Sequence, residues 1–389
     1  MAKQGKKELR ICLCAFPFPS KGGSAHLVSV ARIIQEITDK LCVIAGSLPD
    51  ENTSFSPGVK LVELRVGFRP KALVRPSWLA YFIWVIKYPL VQLEMSYHLL
   101  RASRQADIVV FETGIHYLLP ILLAKLLRKK VVKRSPASIR RRSIPKLSLY
   151  YWVTILFKLY ENAVFGLADR IVIPTVESIH EVGMGKYEGK LWPGMYMWVT
   201  DVFQEKKDWH QRGDVVGYVG RLIEIKGVLQ LAKAIPLILE ENEDIRFLIV
   251  GDGVLMSEMQ EHLKKAGCLD KVEFTGWVPN DELPDYLNEM KFHILPSYWE
   301  APGAVNLEAM ACGTIAVGNN VGGIPDIVID NETGFLLRNN DPETIANKIV
   351  EVWNHPGLEE IRQNAKIFVE QNYTYNKVVE DWRRALSGL

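Results

Sequence analysis

The sequence predicts an α/β protein of two Rossmann-like domains, each built on a parallel sheet, and three observations predict it. The chain of 389 residues, 48% of them hydrophobic, is long enough for two full cores. From Val215 onward, short apolar strands alternate with segments of helical period, an order that demands a parallel sheet covered on both faces. Charge divides the chain too. Residues 1–210 hold 31 Lys and Arg against 17 Asp and Glu, while the rest hold 16 against 28. The overall charge of +2 therefore conceals +14 and −12, and only the first half suits an anionic partner. The polar run 204–214 reads as a linker between domains 1–203 and 215–370, with a helical tail at 371–389.

Other classes fall away. Cys12, Cys14, Cys42, Cys268 and Cys312 lie in apolar stretches without Cys-x-x-Cys spacing, so buried, reduced thiols are expected rather than disulfides or a metal site. The basic start, Met1 to Glu8, leads into a strand instead of a signal-peptide core, so a cytoplasmic chain is expected. The most apolar run, Trp78 to Leu93, is broken by Lys87 and Pro89 and is too short to span a bilayer.

In the first half, Leu9 to Phe18 reads as a buried strand. Lys21-Gly22-Gly23-Ser24 follows, with Ser24 placed to cap a helix running to about Thr38. A strand, a glycine turn and a helix start form a backbone anion site. His26, one turn into that helix, reads either as a surface or packing residue or as a substrate contact. Leu41–Ala45, Val59–Val66, Asp107–Glu112, Lys130–Arg134 and Arg170–Pro174 read as further strands, and Lys190–Gly194 as a loop. Two stretches, Trp78–Arg104 and Leu147–Ala168, are helical in character and rich in aromatics, among them Trp78, Trp84, Tyr150, Trp152 and Phe157. Between them stand Arg140, Arg141, Arg142 and Lys146, with Lys129, Lys130, Lys133 and Arg134 close upstream. Either stretch alone reads as a core helix beside a solvated basic loop. Together, on the positive half, they favour a patch on an anionic membrane surface, with aromatics at headgroup depth and arginines on lipid phosphates. Nucleic acid is the rival partner for such charge, and no recognition motif supports it.

In the second half, strands are predicted at Val215–Val219, Arg246–Val250, Val272–Phe274, Phe292–Leu295 and Thr314–Val317. Ligands on parallel sheets bind at the carboxyl ends of strands. That places Gly220-Arg221, Gly251–Gly253, Gly276–Val278 and Ser297–Glu300 along one edge. Gly251-Asp252-Gly253 lacks the spacing of a dinucleotide fingerprint. Arg221 and Lys226 frame the start of the next helix, and a guanidinium fork with a lysine point charge suits a diphosphate whose charge grows as a sugar leaves.

The most informative stretch is Ser297 to Gly313. Pro302 and Gly303 mark the start of a helix and Gly313 suits its end. Amides from Gly303 and Ala304 to Asn306 would attract a diphosphate. Glu308, in the second turn, is a double acceptor for the two hydroxyls of a ribose. Glu300, on the preceding loop, would face the donor sugar. That arrangement fits a nucleotide-sugar site.

Glu300-x7-Glu308 with Leu307-Glu-Ala-Met-Ala-Cys-Gly313, then Gly322-Gly-Ile-Pro-Asp-Ile-Val328 and Asn331-Glu-Thr-Gly-Phe-Leu-Leu337, resembles the family-4 retaining glycosyltransferases of GT-B fold. Gly220-Arg221-Leu222 and Lys226-Gly227 match that family residue by residue. The resemblance is close from about Val216 to Leu337 and thin before it. It implies two Rossmann-like domains facing across a cleft, transfer with retention from a nucleotide-diphosphate sugar, and backbone near Gly276 to Val278 reading the base. It also implies that the loop at Gly22 and Gly23 faces donor and acceptor, and that the last helix, Asn376 to Leu386, crosses back to the first domain. No metal or other cofactor is expected.

Relatives often carry a histidine after the strand equivalent to Lys130–Arg134. Here the slot reads Lys133-Arg-Ser-Pro-Ala-Ser138, which leaves His116 as the nearby candidate for a substrate contact. The reaction class usually assigns the acceptor proton to the leaving phosphate, so the departure bears on the site more than on the reaction. The first domain is expected to hold a lipid-linked or glycan acceptor at the cytoplasmic face of a membrane. The alternative is a catalytically silent glycosyltransferase-like subunit that binds a partner there; Ala301, where relatives usually have glycine, keeps it open.

Overall fold

Alternating apolar strands and amphipathic helices build two parallel sheets in the computed structural model, which describes residues 9–15, 21–46, 59–64, 78–112, 117–135, 149–173, 184–193, 197–301 and 303–389. The chain divides into two units. Unit 1 comprises Met1–Pro174, Val182–Tyr196 and Val378–Leu389; unit 2 comprises Thr175–Glu181 and Met197–Lys377.

Unit 1 runs β1 (Arg10–Ala15), α1 (Lys21–Gln35), β2 (Lys40–Ala45), β3 (Lys60–Glu63), α2 (Trp78–Ala102), β4 (Ile108–Phe111), α3 (Leu118–Leu126), β5 (Lys130–Arg134), α4 (Leu149–Leu167), β6 (Arg170–Ile173) and β7 (Leu191–Pro193). The strands lie in the order β3-β2-β1-β4-β5-β6-β7, all parallel. Crossovers between parallel strands are right-handed. α1 therefore covers one face, where the chain steps from β1 to β2, and α2, α3 and α4 cover the other, where it steps the opposite way. Central strands are apolar throughout because both faces are buried: Ile11, Leu13, Val109, Val110 and Phe111 are all sealed from solvent.

Unit 2 contains β8 (Val215–Val219), α5 (Val228–Glu241), β9 (Arg246–Val250), α6 (Met256–Lys265), β10 (Val272–Gly276), α7 (Leu283–Glu289) and β11 (Phe292–Leu295). It continues with α8 (Ala304–Ala311), β12 (Ile315–Asn319), β13 (Gly334–Leu337), α9 (Pro342–Trp353), α10 (Leu358–Asn372) and the start of α11 (Tyr375–Ser387). Its parallel strands lie in the order β10-β9-β8-β11-β12-β13. From Val378 on, α11 belongs to unit 1, where Val378, Trp382, Ala385 and Leu386 are buried and the Arg134 guanidinium stands 5.7 Å from the Trp382 ring.

Several expectations need correction. Ser24 does not cap α1, which already starts at Lys21, so Gly22 and Gly23 lie in its first turn. Lys190–Gly194 is not simply a loop, since Leu191–Pro193 pairs with β6 as the edge strand. Gly334–Leu337, read only as a motif, is a strand beside β12.

The run 204–214 is no free linker; its polar side chains dock on unit 2. Glu205 pairs with Arg362 at 2.5 Å and Lys366 at 2.6 Å. Arg212, fully buried, donates to the carbonyls of Lys207, Met290 and Cys312 and to Thr314 Oγ1, at 2.7–3.1 Å.

Lys133 and Arg134 do not belong to a solvated basic surface. Both are buried at the end of β5, where Arg134 pairs with Glu112 at 2.5 Å and Lys133 Nζ donates to the Glu112 and Arg134 carbonyls. Burial pulls the Lys133 ammonium down to about 7, with Glu112 opposing the shift. A strand covered on both faces has no outward side for its charged residues, so they enter the core with a carboxylate.

Candidate functional site

In the sheet of unit 2 the strand order reverses between β8 and β11, which pair through Phe292↔Val216 and His293↔Gly217. Such a switch point leaves an open crevice at the carboxyl ends of the strands. The loop after β8 carries Arg221 and Lys226, and the loop after β11 carries Glu300. The sheet thus brings together residues 74 positions apart: Lys226 Nζ forms an ion pair with Glu300 Oε2, each side chain 16% exposed. Ser297 Oγ donates to the same carboxylate oxygen at 3.2 Å.

The backbone beneath this pair is held from several sides. Gly322 has φ +59°, and a Cβ there would come 1.9 Å from the Glu300 carbonyl; Gly323 N donates to that carbonyl at 3.2 Å. The Gly322-Gly323 turn therefore serves as a seat for Glu300. Gly227, at φ +69°, approaches Pro296 so closely that a Cβ would meet its carbonyl at 2.0 Å. Asn340 Nδ2 donates to Pro296 O at 3.0 Å and Asn319 Nδ2 to Ser297 O at 2.9 Å. Tyr298 N donates to Ile225 O at 2.9 Å, which ties the two loops directly. Tyr218, buried at the end of β8, donates from its hydroxyl to Arg221 O at 2.9 Å. Burial raises that phenol's pKa, the Glu300 charge adds to the rise and Arg221 opposes it. Arg221 itself is exposed.

α8 starts from Gly303, at φ +66°, and Asn306 N bonds back to Gly303 O at 2.9 Å. The amides left at this end are those of Ala304 and Val305, which meet no acceptor among the described residues. Asn306 is fully buried and anchors the helix to β11 through His293 Nδ1 at 3.0 Å. Burial lowers the His293 pKa to about 4, so this histidine is a neutral structural pin.

Glu308 lies one turn further along α8, with no hydrogen-bond donor on its carboxylate among the described residues, and burial pushes its pKa up to about 7. A carboxyl group whose folded pKa exceeds its unfolded value stabilises the fold when protonated and loses that contribution as pH rises through the window from about 4.5 to about 7. Glu308→Gln is therefore expected to stabilise the unliganded protein at pH 8 by on the order of 1–3 kcal/mol, seen as a higher melting temperature. It should have little effect at pH 4.5. Thermal scans at the two pH values check this; an unchanged or lower melting temperature at pH 8 would show that the carboxylate is not desolvated.

Gly220 and Val278 stand on the same edge, Gly220 N donating to Val250 O of β9 at 2.9 Å and Val278 half-buried. Four exposed apolar side chains that sequence reasoning missed occupy the loops after β8, β9, β10 and β11: Ile225, Val254, Trp277 (75% exposed) and Tyr298. Gln230 Nε2 donates to the Tyr298 hydroxyl at 2.8 Å. In unit 1 the backbone of Gly22 and Gly23 opens α1 after β1, the strand at that sheet's own reversal of order. The side chains of His26, Trp78 and Trp152, and all of His116, Arg140, Arg141, Arg142 and Lys146, lie outside the described residues. Among the described residues no group of three or more His, Cys, Asp or Glu side chains is placed to hold a metal ion. The crevice of unit 2 thus offers two cations, two helix amides, a paired carboxylate and a desolvated carboxylate, a set suited to a diphosphate flanked by hydroxyl-bearing groups.

Residues 199–368 match the family model described as "Glycosyl transferases group 1", so the chain carries a domain of that kind. The 2-deoxystreptamine glucosyltransferase of Streptomyces kanamyceticus is 32% identical over 152 residues, 39% of this chain and 39% of its own. The gpi3 subunit of phosphatidylinositol N-acetylglucosaminyltransferase from Schizosaccharomyces pombe is 29% identical over 164 residues, 42% of this chain and 35% of its own. The chain thus spans about two fifths of the curated relatives it matches. Among solved structures, Anabaena HepE in complex with UDP superposes with a TM-score of 0.73 at 18% identity, covering 98% of this chain and all of that one. The fold is that of the GT-B glycosyltransferases, two parallel-sheet α/β units.

Proposed function

We propose that this chain, whose residues 199–368 form a glycosyl transferases group 1 domain, moves a sugar from a nucleotide-diphosphate donor to an acceptor with retention of configuration. The observation that carries the reading is the Lys226–Glu300 pair at the switch point of unit 2. α8 opens beside it, and Glu308 stands one turn inside that helix.

In this reading the donor diphosphate meets the amides of Ala304 and Val305, with Gly303 letting the chain turn towards it. Arg221 and Lys226 supply the neutralising charge. The two hydroxyls of the ribose replace water on Glu308, and the base lies near Val278 and the exposed indole of Trp277. As Lys226 turns to the phosphate, Glu300 is released to accept hydrogen bonds from the sugar. Gly220, at the turn after β8, lets the backbone approach. The bond from the anomeric carbon to the phosphate oxygen breaks as an acceptor hydroxyl attacks the same face. Its proton passes to that phosphate oxygen, so no side-chain base is required, and the cations make a metal unnecessary.

The acceptor is proposed to be lipid-linked, at the cytoplasmic face of a membrane. The excess positive charge of residues 1–210 supports this, as does a relative named for a phosphatidylinositol acceptor. Since the Anabaena neighbour is described in complex with UDP, uridine nucleotides are the first donors to test. Glu308→Gln is expected to weaken nucleotide binding by about tenfold to a hundredfold, the worth of a charge-assisted hydrogen bond of about 1.5–3 kcal/mol. Calorimetric titration with nucleoside diphosphates checks it. Equal affinity in wild type and variant would remove Glu308 from the ribose.

A further inference from the structure

Eight of the fifteen large apolar side chains that are exposed among the described residues lie on the outer surface of α2, α3 and α4. On α2 they are Leu90, Leu93, Tyr97 and Leu100, spaced three or four apart along one stripe. The core-facing residues of the same helix are Val91, Met95 and Leu99. At about 100° per residue the two sets lie on opposite sides, so α2 is apolar both towards the sheet and away from it. α3 repeats the pattern. Leu119, Leu122 and Leu126 (79% exposed) face out, while Ile121 and Ala124 face the sheet. α4 adds Leu159, beside Tyr160.

The topology places these stripes on one surface. All three helices cover the same face of the sheet, because each follows a right-handed crossover in the same direction. Hydrogen bonds join them at one level. Tyr160 of α4 shares a 2.8 Å bond with Tyr88 of α2 and accepts from Leu118 N of α3, also at 2.8 Å. Gln92 of α2 accepts from Leu119 N at 3.0 Å.

Among the described residues the fully exposed charges on or beside these helices are all positive, and Glu94 of α2 is half-buried. Arg101, Arg104, Arg128, Lys130 and Lys158 are exposed on or beside these helices, and Arg101 stacks its guanidinium 5.0 Å from the Tyr97 ring. The neighbouring carboxylates are neutralised: Asp107 by Arg10 at 2.7 Å, Asp169 by Lys125 at 2.8 Å. Glu161 is buried. An apolar outer face rimmed by cations suits neither water nor a neutral partner. No described helix is long and apolar enough to cross a membrane, so this face would lie in the interfacial plane.

We infer that the outer face of α2, α3 and α4 docks on an anionic lipid bilayer, with its leucines in the acyl boundary and its arginines and lysines on lipid phosphates. This rests on the proposed membrane-bound acceptor and gives that reading a surface. It uses α2 and α4, the two aromatic stretches of the patch expected from the sequence, and adds α3.

The test is co-sedimentation with phosphatidylcholine vesicles made with and without phosphatidylglycerol. Wild type is compared with the triple variant Leu93→Glu/Leu122→Glu/Leu126→Glu, and with Arg101→Ala/Arg128→Ala/Lys158→Ala. All six positions are exposed, so melting temperature and nucleoside diphosphate affinity should not change. Wild type is expected to bind the anionic vesicles. The leucine variant should lose at least about tenfold in partitioning, since one fully buried leucine carries more than that factor by itself. The cation variant should lose binding chiefly at low salt. Equal vesicle binding by wild type and the leucine variant would overturn the assignment of the surface while leaving a membrane-bound acceptor in place. Failure of wild type to bind any vesicle would overturn the bilayer itself. If the leucine variant then converted a concentration-dependent dimer to monomer, the surface would belong to a second copy. Donor turnover, measured in parallel without vesicles, reports separately on sugar transfer.

Discussion

Lys226→Ala is expected to slow sugar transfer by about 10²–10³-fold at saturating donor, while donor affinity falls far less. The reason lies in when the charge appears. On the proposed reading, the diphosphate in the ground state already meets helix amides and Arg221, and water can substitute for part of what lysine supplies. In the transition state the leaving phosphate gains charge in a crevice with few other cations, and there the ammonium cannot be replaced. Lys226 is held close by its pairing with Glu300, which keeps it in the site before the donor arrives. Arg221→Ala should show the same asymmetry with a smaller loss, because Arg221 is exposed and its charge is better screened. Steady-state kinetics on both variants separate the two effects. Near-normal turnover in both would mean that the diphosphate lies elsewhere.

The largest loss of stability is expected from Arg212→Met, at about 3–5 kcal/mol. Arg212 lies in a stretch whose composition marks it as a connection, yet it is sealed from solvent and serves as a hub for unit 2. Its guanidinium satisfies backbone carbonyls at Lys207, Met290 and Cys312 together with Thr314 Oγ1, on three separate segments. Methionine fills similar volume but leaves the Lys207 and Cys312 carbonyls without the donor that Arg212 supplies, each costing about 1–3 kcal/mol before relaxation. For a unit of this size the melting temperature should fall by about 6–20 °C. Calorimetry should place the loss in the transition of unit 2. A shift of less than about 2 °C would show that water replaces the guanidinium and that the segment is only loosely docked.

Much of this architecture was legible because local pattern and tertiary role coincide. Val215–Val219, Arg246–Val250 and Phe292–Leu295 are apolar on both sides, and each is a central strand with those bounds. The helix holding Glu308 was legible from its glycine start and its small residues. What escaped were contacts between distant segments. Asn306 with His293, Asn340 with Pro296 and Asn319 with Ser297 have no period to reveal them, since their meaning is a bond closed by the fold. The pairing of Lys226 with Glu300 escaped for the same reason. Each was assigned to a different part of a substrate, and only the adjacency of β8 and β11 brings them together. Net charge misled at Lys133 and Arg134. A count of cations carries no information on burial, and a carboxylate twenty-two residues before Arg134 takes both inside. Gly334–Leu337 was missed as a strand because four residues after a turn motif are too few to show a period.

The central claim is that the crevice of unit 2 activates a nucleotide sugar, and the anomeric outcome of donor cleavage tests it most directly. The pure protein is incubated with a panel of α-linked uridine, guanosine and adenosine diphosphate sugars, and proton NMR follows the first-formed free sugar before it mutarotates. At least one donor is expected to be cleaved, to release its sugar first as the α anomer, and to be cleaved about 10²-fold or more slowly by Lys226→Ala. Normal binding of a nucleoside diphosphate with no cleavage of any donor would contradict transfer and leave a silent, nucleotide-binding subunit; first release of the β anomer would contradict retention.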